Sequence, residues 1–406
     1  MENMKKGMLI KIIIIVLLVV VLGILLKLTI DAINENNNNQ ISNQEIQKLS
    51  GEIKDGMGMN SSNISYFASK EITEDTTIEE GEYVSEKTDE NAILVTGDVD
   101  VSLENINVNK TGDLDGEDNT SFYGTNSAVL AKSGANLNVE NITVNTDATG
   151  ANGVFSYGGS AATNNTSNDG TNITISNSTI NTKKDNSGGI MTTGGGTMKA
   201  SNLTINTVGT SSAAIRTDRG GGNVTVDGGT YTTTGQGSPT IYSTANITVN
   251  NAELIAKASE GIIIEGKNSV TINICNLTDS NTKLNGKSTT YKNIFLYQSM
   301  SGDAANGNSE SNGGIVTLMM TNQEVTGNIV IDSIATLDMT MKLNSYYEGT
   351  INGNNEAESI SLELDETSKI KLTGDSYVTS LEDGDSSYSN IDFNGYKLYI
   401  NGVAIN

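Results

Sequence analysis

Short apolar segments recur at regular intervals from about Tyr66 to the C-terminus, and polar and glycine residues separate them. One register starts with an apolar-x-apolar triplet, has a turn-type residue four positions after its first residue, and then adds two more apolar positions. Its first residues are Val101, Leu137, Ile173, Met198, Val224, Ile247 and Val270. The intervals between them are 36, 36, 25, 26, 23 and 23 residues. The shorter intervals predict stacked coils of three short strands each, and the two longer ones predict coils with a loop insertion.

Asparagine dominates the position four residues after each of these first residues. The column reads Asn105, Asn141, Asn177, Asn202, Gly228, Asn251 and Ile274. Asn and Gly tolerate the left-handed backbone conformation that a sharp turn requires. Stacked coils would place these amides about 4.8 Å apart, the distance between neighbouring strands. The column therefore predicts a ladder of hydrogen-bonded asparagines.

A second apolar register lies between members of the first, in four-residue groups that begin with a small residue. The third positions are Leu94, Leu130, Phe155, Met191, Ile215, Ile241, Ile263 and Phe295. We expect these side chains to stack inside the solenoid, because residues two apart on a strand share a face. The fourth position varies among Ser, Thr, Arg, Tyr and Ile, which is typical of a solvent-facing column. Because every coil repeats in the same direction, the fold class predicted is an all-β parallel β-helix with three short strands per coil.

The N-terminal residues have a different pattern. Residues 8–30, MLIKIIIIVLLVVVLGILLKLTI, are apolar over about the length that spans a bilayer. Lysines precede this segment and acidic residues follow it, so residues 1–7 are expected in the cytoplasm and the rest outside. A cleaved signal peptide is the alternative. Residues 31–63 are predicted to be a flexible linker and 64–406 the β-helix, with caps at 64–90 and 385–406.

Composition removes several classes of function. The formal net charge is −24, so a phosphate backbone would be repelled and nucleic acid is excluded as a partner. The chain has no histidine, which excludes Ser-His-Asp and Cys-His catalysis and the commonest metal ligand. Its one cysteine, Cys275, lies in an apolar repeat strand, so an intrachain disulfide and a zinc cluster are both excluded.

Several stretches of the repeat region resemble those of a known family. They are KEITEDTTIEEGEY (70–83), GGIMTTGGGTM (188–198), AIRTDRGGGNVTVDGGTY (214–231), ASEGIIIEGKNSV (258–270), YKNIFLYQSMSGDA (291–304) and KIKLTGDSYVTSLED (369–383). In these the chain resembles pectin-lyase-like right-handed parallel β-helices, and more closely adhesin-like surface proteins of Gram-positive anaerobes. The resemblance implies a right-handed solenoid from about Lys70 to the C-terminus. It implies function weakly, although some similar β-helices bind plant polysaccharides with calcium.

The two arginines of the chain, Arg216 and Arg219, flank Asp218 in a glycine-rich segment. Arg216 is assigned to the outward column, between Thr192 and Tyr242 of the adjacent coils. An arginine could bind a sugar carboxylate, and an exposed tyrosine beside it could stack against a pyranose ring. The candidate ligand-binding residues are therefore Arg216, Asp218, Arg219 and Tyr242. Arg216, with Asp218, could instead serve as the base of a polysaccharide lyase. The alternative to both is a surface salt bridge that holds a turn.

Two acidic segments are candidate calcium sites, because carboxylate oxygens are the ligands that calcium prefers. The first is Asp113, Asp115, Glu117 and Asp118, in a predicted insertion. The second, weaker candidate is Glu382, Asp383 and Asp385. Solvated acidic loops are the alternative for both segments.

These patterns lead to three functional hypotheses. The first is a surface adhesin or carbohydrate-binding protein at the cell membrane, without catalytic activity. The second is a pectate-lyase-like enzyme centred on Arg216 and Asp218. The third is a purely structural surface rod. No constellation of catalytic residues stands out in the sequence, which favours the first hypothesis.

Overall fold

In the computed structural model the repeats stack as a right-handed parallel β-solenoid of about 11 turns. The structure describes residues 64–114, 117–159, 169–218, 220–265, 268–273, 276–279, 283–284, 287–288, 294–299 and 315–406. The predicted tip (1–7), membrane anchor (8–30), linker (31–63), Ile274 and Cys275 lie outside the described residues, as does the side chain of Phe295. Within the described part of the chain, no helix has the length and apolar character of a membrane span.

Three faces run along the solenoid, and each is built from one short strand per coil. Face 1 consists of Phe67–Ile72, Glu90–Thr96, Val129–Lys132, Val154–Tyr157, Ile190–Thr193, Ile215–Thr217, Ile241–Ser243, Ile262–Glu265, Ile294–Ser299 and Asn328–Ile331. Neighbouring strands of this face are all parallel.

Faces 2 and 3 follow face 1 in each coil. Face 2 contains Thr76–Ile78, Asp100–Glu104, Asn136–Glu140, Asn172–Ser176, Asn246–Asn250 and Ser269–Asn273, and continues in Ile315–Thr321, Thr336–Lys342, Ser359–Leu364 and Ser380–Asp383. Face 3 contains Gly81–Ser85, Ile106–Lys110, Thr143–Thr146, Thr179–Thr182, Glu253–Ala256, Asn276–Asp279, Glu324–Thr326, Tyr346–Gly349, Lys369–Leu372 and Ile391–Asp392. Two longer strands, Gly196–Thr207 and Gly222–Thr233, run through both faces.

Two smaller groups of strands complete the described chain. Lys283–Leu284 and Lys287–Ser288 pair antiparallel. Ser376–Val378, Leu398–Ile400 and Val403–Ala404 form a three-stranded sheet near the C-terminus. Its last pair is antiparallel, so the chain turns back on itself at its end.

The asparagine column occupies the turn between faces 2 and 3, as predicted. Asn105, Asn141, Asn177, Asn202, Gly228 and Asn251 all have a positive φ, between 50° and 74°. Asn141 donates to Asn105 Oδ1 at 2.6 Å, and Asn202 donates to Asn177 Oδ1 at 2.8 Å. The ladder is interrupted where Asn177 donates to Glu140 instead of Asn141. It is interrupted again at Gly228, which has no side chain, so Asn251 donates to Asp227 Oδ1. The pairing of Val101 with Leu137 and of Leu137 with Ile173 confirms the intervals of 36 residues.

The predicted inward column on face 1 is confirmed for Ile215 and Ile241 and is wrong for the other described members. The main core contains Ile93, Val129, Val154, Ile190, Ile215, Ile241 and Ile262. The column one residue later points to the opposite side of the strands and reads Leu94, Leu130, Phe155, Met191, Arg216, Tyr242 and Ile263. The residues predicted to point inward therefore point outward in the early coils and again at Ile263, whereas Ile215 and Ile241 point inward as predicted. Alternation failed as a guide because both sides of the early strands are buried.

The predicted solvent-facing column is wrong for a related reason. Ser156 and Thr192 are fully buried, and Thr192 pairs with Thr217, so it does not lie beside Arg216. The residue that pairs with Arg216 on the earlier coil is Met191. Arg216 and Tyr242 do point outward and pair with each other, which confirms that part of the prediction.

A short helix explains why the outward side of face 1 is apolar in the early coils. The helix, Glu117–Tyr123, lies in the first of the two predicted insertions. Its Phe122 and Tyr123 pack in a second apolar cluster that contains the outward residues Leu94, Leu130, Phe155 and Met191. Thr193 donates a hydrogen bond to the carbonyl of Phe122 at 2.7 Å and so ties the helix to face 1.

Candidate functional site

The candidate site begins at the turn that precedes each strand of face 1. Asn186, Ser211 and Gly237 occupy equivalent positions in this turn, with φ of 55°, 54° and 64°. Each is followed by a fully buried serine: Ser187, Ser212 and Ser238. These serines are linked from coil to coil, since the N–H of Ser187 donates to Ser212 Oγ and the N–H of Ser212 donates to Ser238 Oγ.

Buried threonines fix the same turn from its other end. The hydroxyls of Thr182, Thr207 and Thr233 each donate to the carbonyl of the serine five residues later, at 2.5 Å. The turn therefore has its buried polar groups bonded within and between coils, as a low-dielectric interior requires. This second left-handed column was not predicted from the sequence, although the serine at a fixed distance after the threonine is visible there.

Arg216 stands on the outward side of face 1, one coil after Met191. Its Nη2 donates to Asp218 Oδ2 at 2.6 Å, and both side chains are largely buried, with 14% and 10% exposure. The Nε and Nη1 atoms are also buried, and they have no hydrogen-bond partner among the described residues. A buried donor without an acceptor destabilises a protein by about 1–3 kcal/mol.

Tyr242 extends the site to the next coil. The guanidinium carbon of Arg216 lies 5.5 Å from the centre of its ring, within the range of a cation–π interaction. The phenol donates to Glu265 Oε2 at 2.7 Å. Burial, together with the nearby carboxylates of Glu265 and Asp218, raises the pKa of Tyr242 well above its ordinary value of 10. The phenol is therefore neutral at physiological pH and acts as a hydrogen-bond donor.

A cleft of about 230 Å³ lies between the turn column and the outward side of face 1. Its lining consists of Asn186, Ser211, Ala213, Arg216, Gly237, Pro239 and Tyr242. Small residues make room for it, because Gly188 and Ala213 occupy equivalent positions on adjacent coils. A Cβ atom at Gly188 would lie 3.1 Å from the Ala213 carbonyl oxygen, closer than an ordinary contact. The cleft thus combines a charged donor, an aromatic ring and neutral polar turn residues.

Three of the four ligand-site residues predicted from the sequence come together here, and the fourth is not described. Arg216 contacts both Asp218 and Tyr242. Arg219 lies outside the described residues. Glu265 was missed, although it lies two residues after Ile263, which pairs with Tyr242. A correct frame on face 1 would have placed Glu265 on the outward side.

Of the first acidic segment, the structure describes the side chain of Asp113 only. Asp113 is exposed, and its Oδ1 accepts the N–H of Thr149 at 2.8 Å. Asp115 lies outside the described residues, and Glu117 and Asp118 start the helix with side chains that are not described. In the part of the chain that is described, no group of three or more metal-ligating side chains is close enough to hold an ion. Calcium binding by this segment stays a prediction.

The second acidic segment supports a turn. Asp385 accepts hydrogen bonds from the N–H and hydroxyl groups of Ser387 and Ser389. These bonds, those from Ser387 foremost, hold the pKa of the Asp385 carboxyl well below its usual range. Asp383 Oδ1 accepts from the Asp385 N–H and from Asn390. Both carboxylates are thus engaged by neighbouring donors.

Comparison with family models, with curated proteins and with solved structures found no match to this chain. The parallel solenoid agrees with the pectate-lyase-like fold that the resemblance implied. A fold of this kind hosts many functions, so it does not identify one. Function is therefore inferred from the cleft on face 1.

Proposed function

We propose that this protein is a membrane-anchored, extracellular β-helix that acts as a surface adhesin or carbohydrate-binding protein and binds an acidic sugar in the cleft on face 1. The observation that carries the proposal is the guanidinium of Arg216, which lines the cleft beside the ring of Tyr242. A guanidinium forms strong charge-assisted hydrogen bonds with a carboxylate, and an aromatic ring offers an apolar surface to a sugar ring. The polar turn residues Asn186 and Ser211 could bind the sugar hydroxyls.

The electrostatics of the cleft support binding over catalysis. A guanidinium must lose a proton before it can act as the base of a lyase. In this structure Arg216 Nη2 donates to the Asp218 carboxylate at 2.6 Å, so the guanidinium acts as a hydrogen-bond donor and not as a base. The same ion pair holds the guanidinium in a fixed orientation, which favours recognition of a planar carboxylate.

The membrane anchor remains part of the proposal on sequence grounds. Residues 8–30 have the length and apolar character of a span, and the lysines before them favour a cytoplasmic N-terminus. Residues 31–63 would then hold the solenoid away from the membrane. The adhesin-like resemblance of the repeats is consistent with this arrangement.

A glycan array of neutral and acidic sugars, probed with and without calcium, tests the proposal. We expect binding to acidic sugars that Arg216→Gln abolishes. Lys199→Gln is the matched control, because it removes one positive charge from an exposed position on face 2 outside the cleft. Retained acidic-sugar binding by Arg216→Gln would reject the cleft as the site. Absence of binding to every sugar by the wild-type protein would leave the structural rod as the better hypothesis.

Calcium is tested separately by thermal unfolding. A rise in the melting temperature at increasing calcium concentration would support specific sites, since a ligand that binds the folded state stabilises it. Substituting Asp113, Asp115, Glu117 and Asp118 with asparagine or glutamine should remove that rise if the first acidic segment holds the ion. An unchanged response in this variant would exclude the segment.

A further inference from the structure

The outward side of face 1 is open over a short distance. Arg216 and Tyr242 lie on adjacent coils and line the cleft. On the preceding coil Met191 is fully buried, and on the following coil Ile263 is fully buried. Adjacent coils are about 4.8 Å apart, so the accessible part of this column is about two coils long.

The N-terminal side of the cleft is closed by a built cover. Met191 belongs to the apolar cluster with Phe155, Tyr123 and Tyr157, and Phe122 packs against that cluster. The hydrogen bond from Thr193 to the Phe122 carbonyl anchors the helix on the same coil as Met191. A polymer that followed the solenoid axis from the cleft would meet this cover within one coil.

The lateral sides of the cleft are also bounded. The left-handed turn residues Asn186, Ser211 and Gly237 form one wall, and the buried hydroxyl network beneath them makes that wall rigid. Asp218, bonded to Arg216, lies at the opposite end of the short strand. The cleft volume of about 230 Å³ is below the roughly 300–1,000 Å³ of pockets that take drug-sized ligands.

We infer that the cleft binds a single acidic sugar or the acidic residue at the end of a glycan, and that it does not bind an internal segment of a polysaccharide. This inference rests on the proposed function and specifies its ligand. Among the described residues, Met191 and its cover on one side and Ile263 on the other leave no continuous open surface along which a chain could pass. Arg216 binds the carboxylate of the terminal residue, and the rest of the glycan extends into solvent.

Titration calorimetry with galacturonic acid and glucuronic acid, and with their oligomers of increasing length, tests this inference. We expect affinities that differ by less than about twofold from monosaccharide to tetramer, because added residues gain no contacts. An affinity that rises about tenfold or more over the same series, equal to 1.4 kcal/mol of new contacts, would overturn it. Arg216→Gln should lose binding at every length, and Lys199→Gln should keep it.

Oligomers modified at both terminal residues provide a second test. Such end-blocked chains keep every internal carboxylate but offer no free terminal acid, so they should not bind. Binding of an end-blocked tetramer at the affinity of the unmodified one would overturn the inference and leave the proposed function intact. Absence of binding to acidic sugars of every length and end structure would overturn both.

Discussion

Lys110 offers a quantitative test of how the coils are packed. Its side chain is fully buried on face 3, in a column of small residues that includes Ser85, Thr146, Thr182, Thr207, Thr233 and Ala256. Its Nζ donates to the carbonyls of Lys87, at 2.9 Å, and Gly112, at 2.5 Å. Burial lowers the pKa of Lys110 from 10.5 to about 8, and the nearby Glu90, Asp113 and Asp89 carboxylates offset part of this effect.

The lowered pKa predicts that stability rises with pH in the alkaline range. Between pH 8 and 10.5 the unfolded chain keeps a proton on Lys110 that the folded protein has released, so higher pH favours folding. Each pKa unit corresponds to about 1.4 kcal/mol, so the contribution is about 3 kcal/mol in total and about 2 kcal/mol between pH 8 and 10. Above pH 10, Tyr66 acts in the opposite direction, because burial raises its pKa.

Urea unfolding at pH 7, 8, 9 and 10, with Lys110→Thr beside the wild type, measures this effect. We expect the free energy of unfolding to rise with pH in the wild type, and to rise by about 2 kcal/mol less in Lys110→Thr. Lys183→Thr is the control, since Lys183 is 60% exposed and should leave the pH dependence unchanged. Equal pH dependence in the wild type and Lys110→Thr would refute the assignment of Lys110 as a buried amine with a lowered pKa.

Three further predictions concern the turns and the cleft. Asn177→Ala should lower the free energy of unfolding by about 1–2 kcal/mol, because Asn177 has a φ of 50°. Asn177→Gly should lower it less, because glycine adopts this conformation without strain. Equal losses in urea unfolding would argue against backbone strain. Gly222→Ala should destabilise the protein by about 1–3 kcal/mol more than Gly221→Ala. A Cβ added at position 222 would lie 2.4 Å from Thr192 Cγ2, whereas one added at position 221 would have its nearest atom at 3.5 Å. Similar melting temperatures for the two variants would contradict this packing. Asp218→Asn should lower the free energy of unfolding by about 3 kcal/mol, because it leaves the Arg216 charge buried without its partner. Adding Arg216→Gln should recover part of that loss, and a fully additive double-mutant cycle would show that the ion pair contributes nothing.

The repeat and its turns could be derived from the sequence. The intervals of 36, 25, 26 and 23 residues set which strands pair, and the observed pairing follows them. The asparagine column marked the turn between faces 2 and 3, because few residues other than Asn and Gly accept positive φ at low energy. Arg216, Asp218 and Tyr242 were also identified, since rare charged and aromatic residues stand out in a repeat of small and β-branched side chains.

The direction of the face 1 side chains was decided by tertiary structure. Leu94, Leu130 and Phe155 were expected inside the solenoid, but they face away from it under the helix Glu117–Tyr123. A strand that is buried on both sides has no polar alternation, so its sequence does not distinguish the two sides. The contact of Glu265 with Tyr242 and the closure of the cleft beside Met191 likewise depend on which coils become neighbours. The sequence by itself determined the coils, the turns and the rare residues of the site. Which side of face 1 remained open was determined by packing between distant segments, because burial depends on what covers a strand.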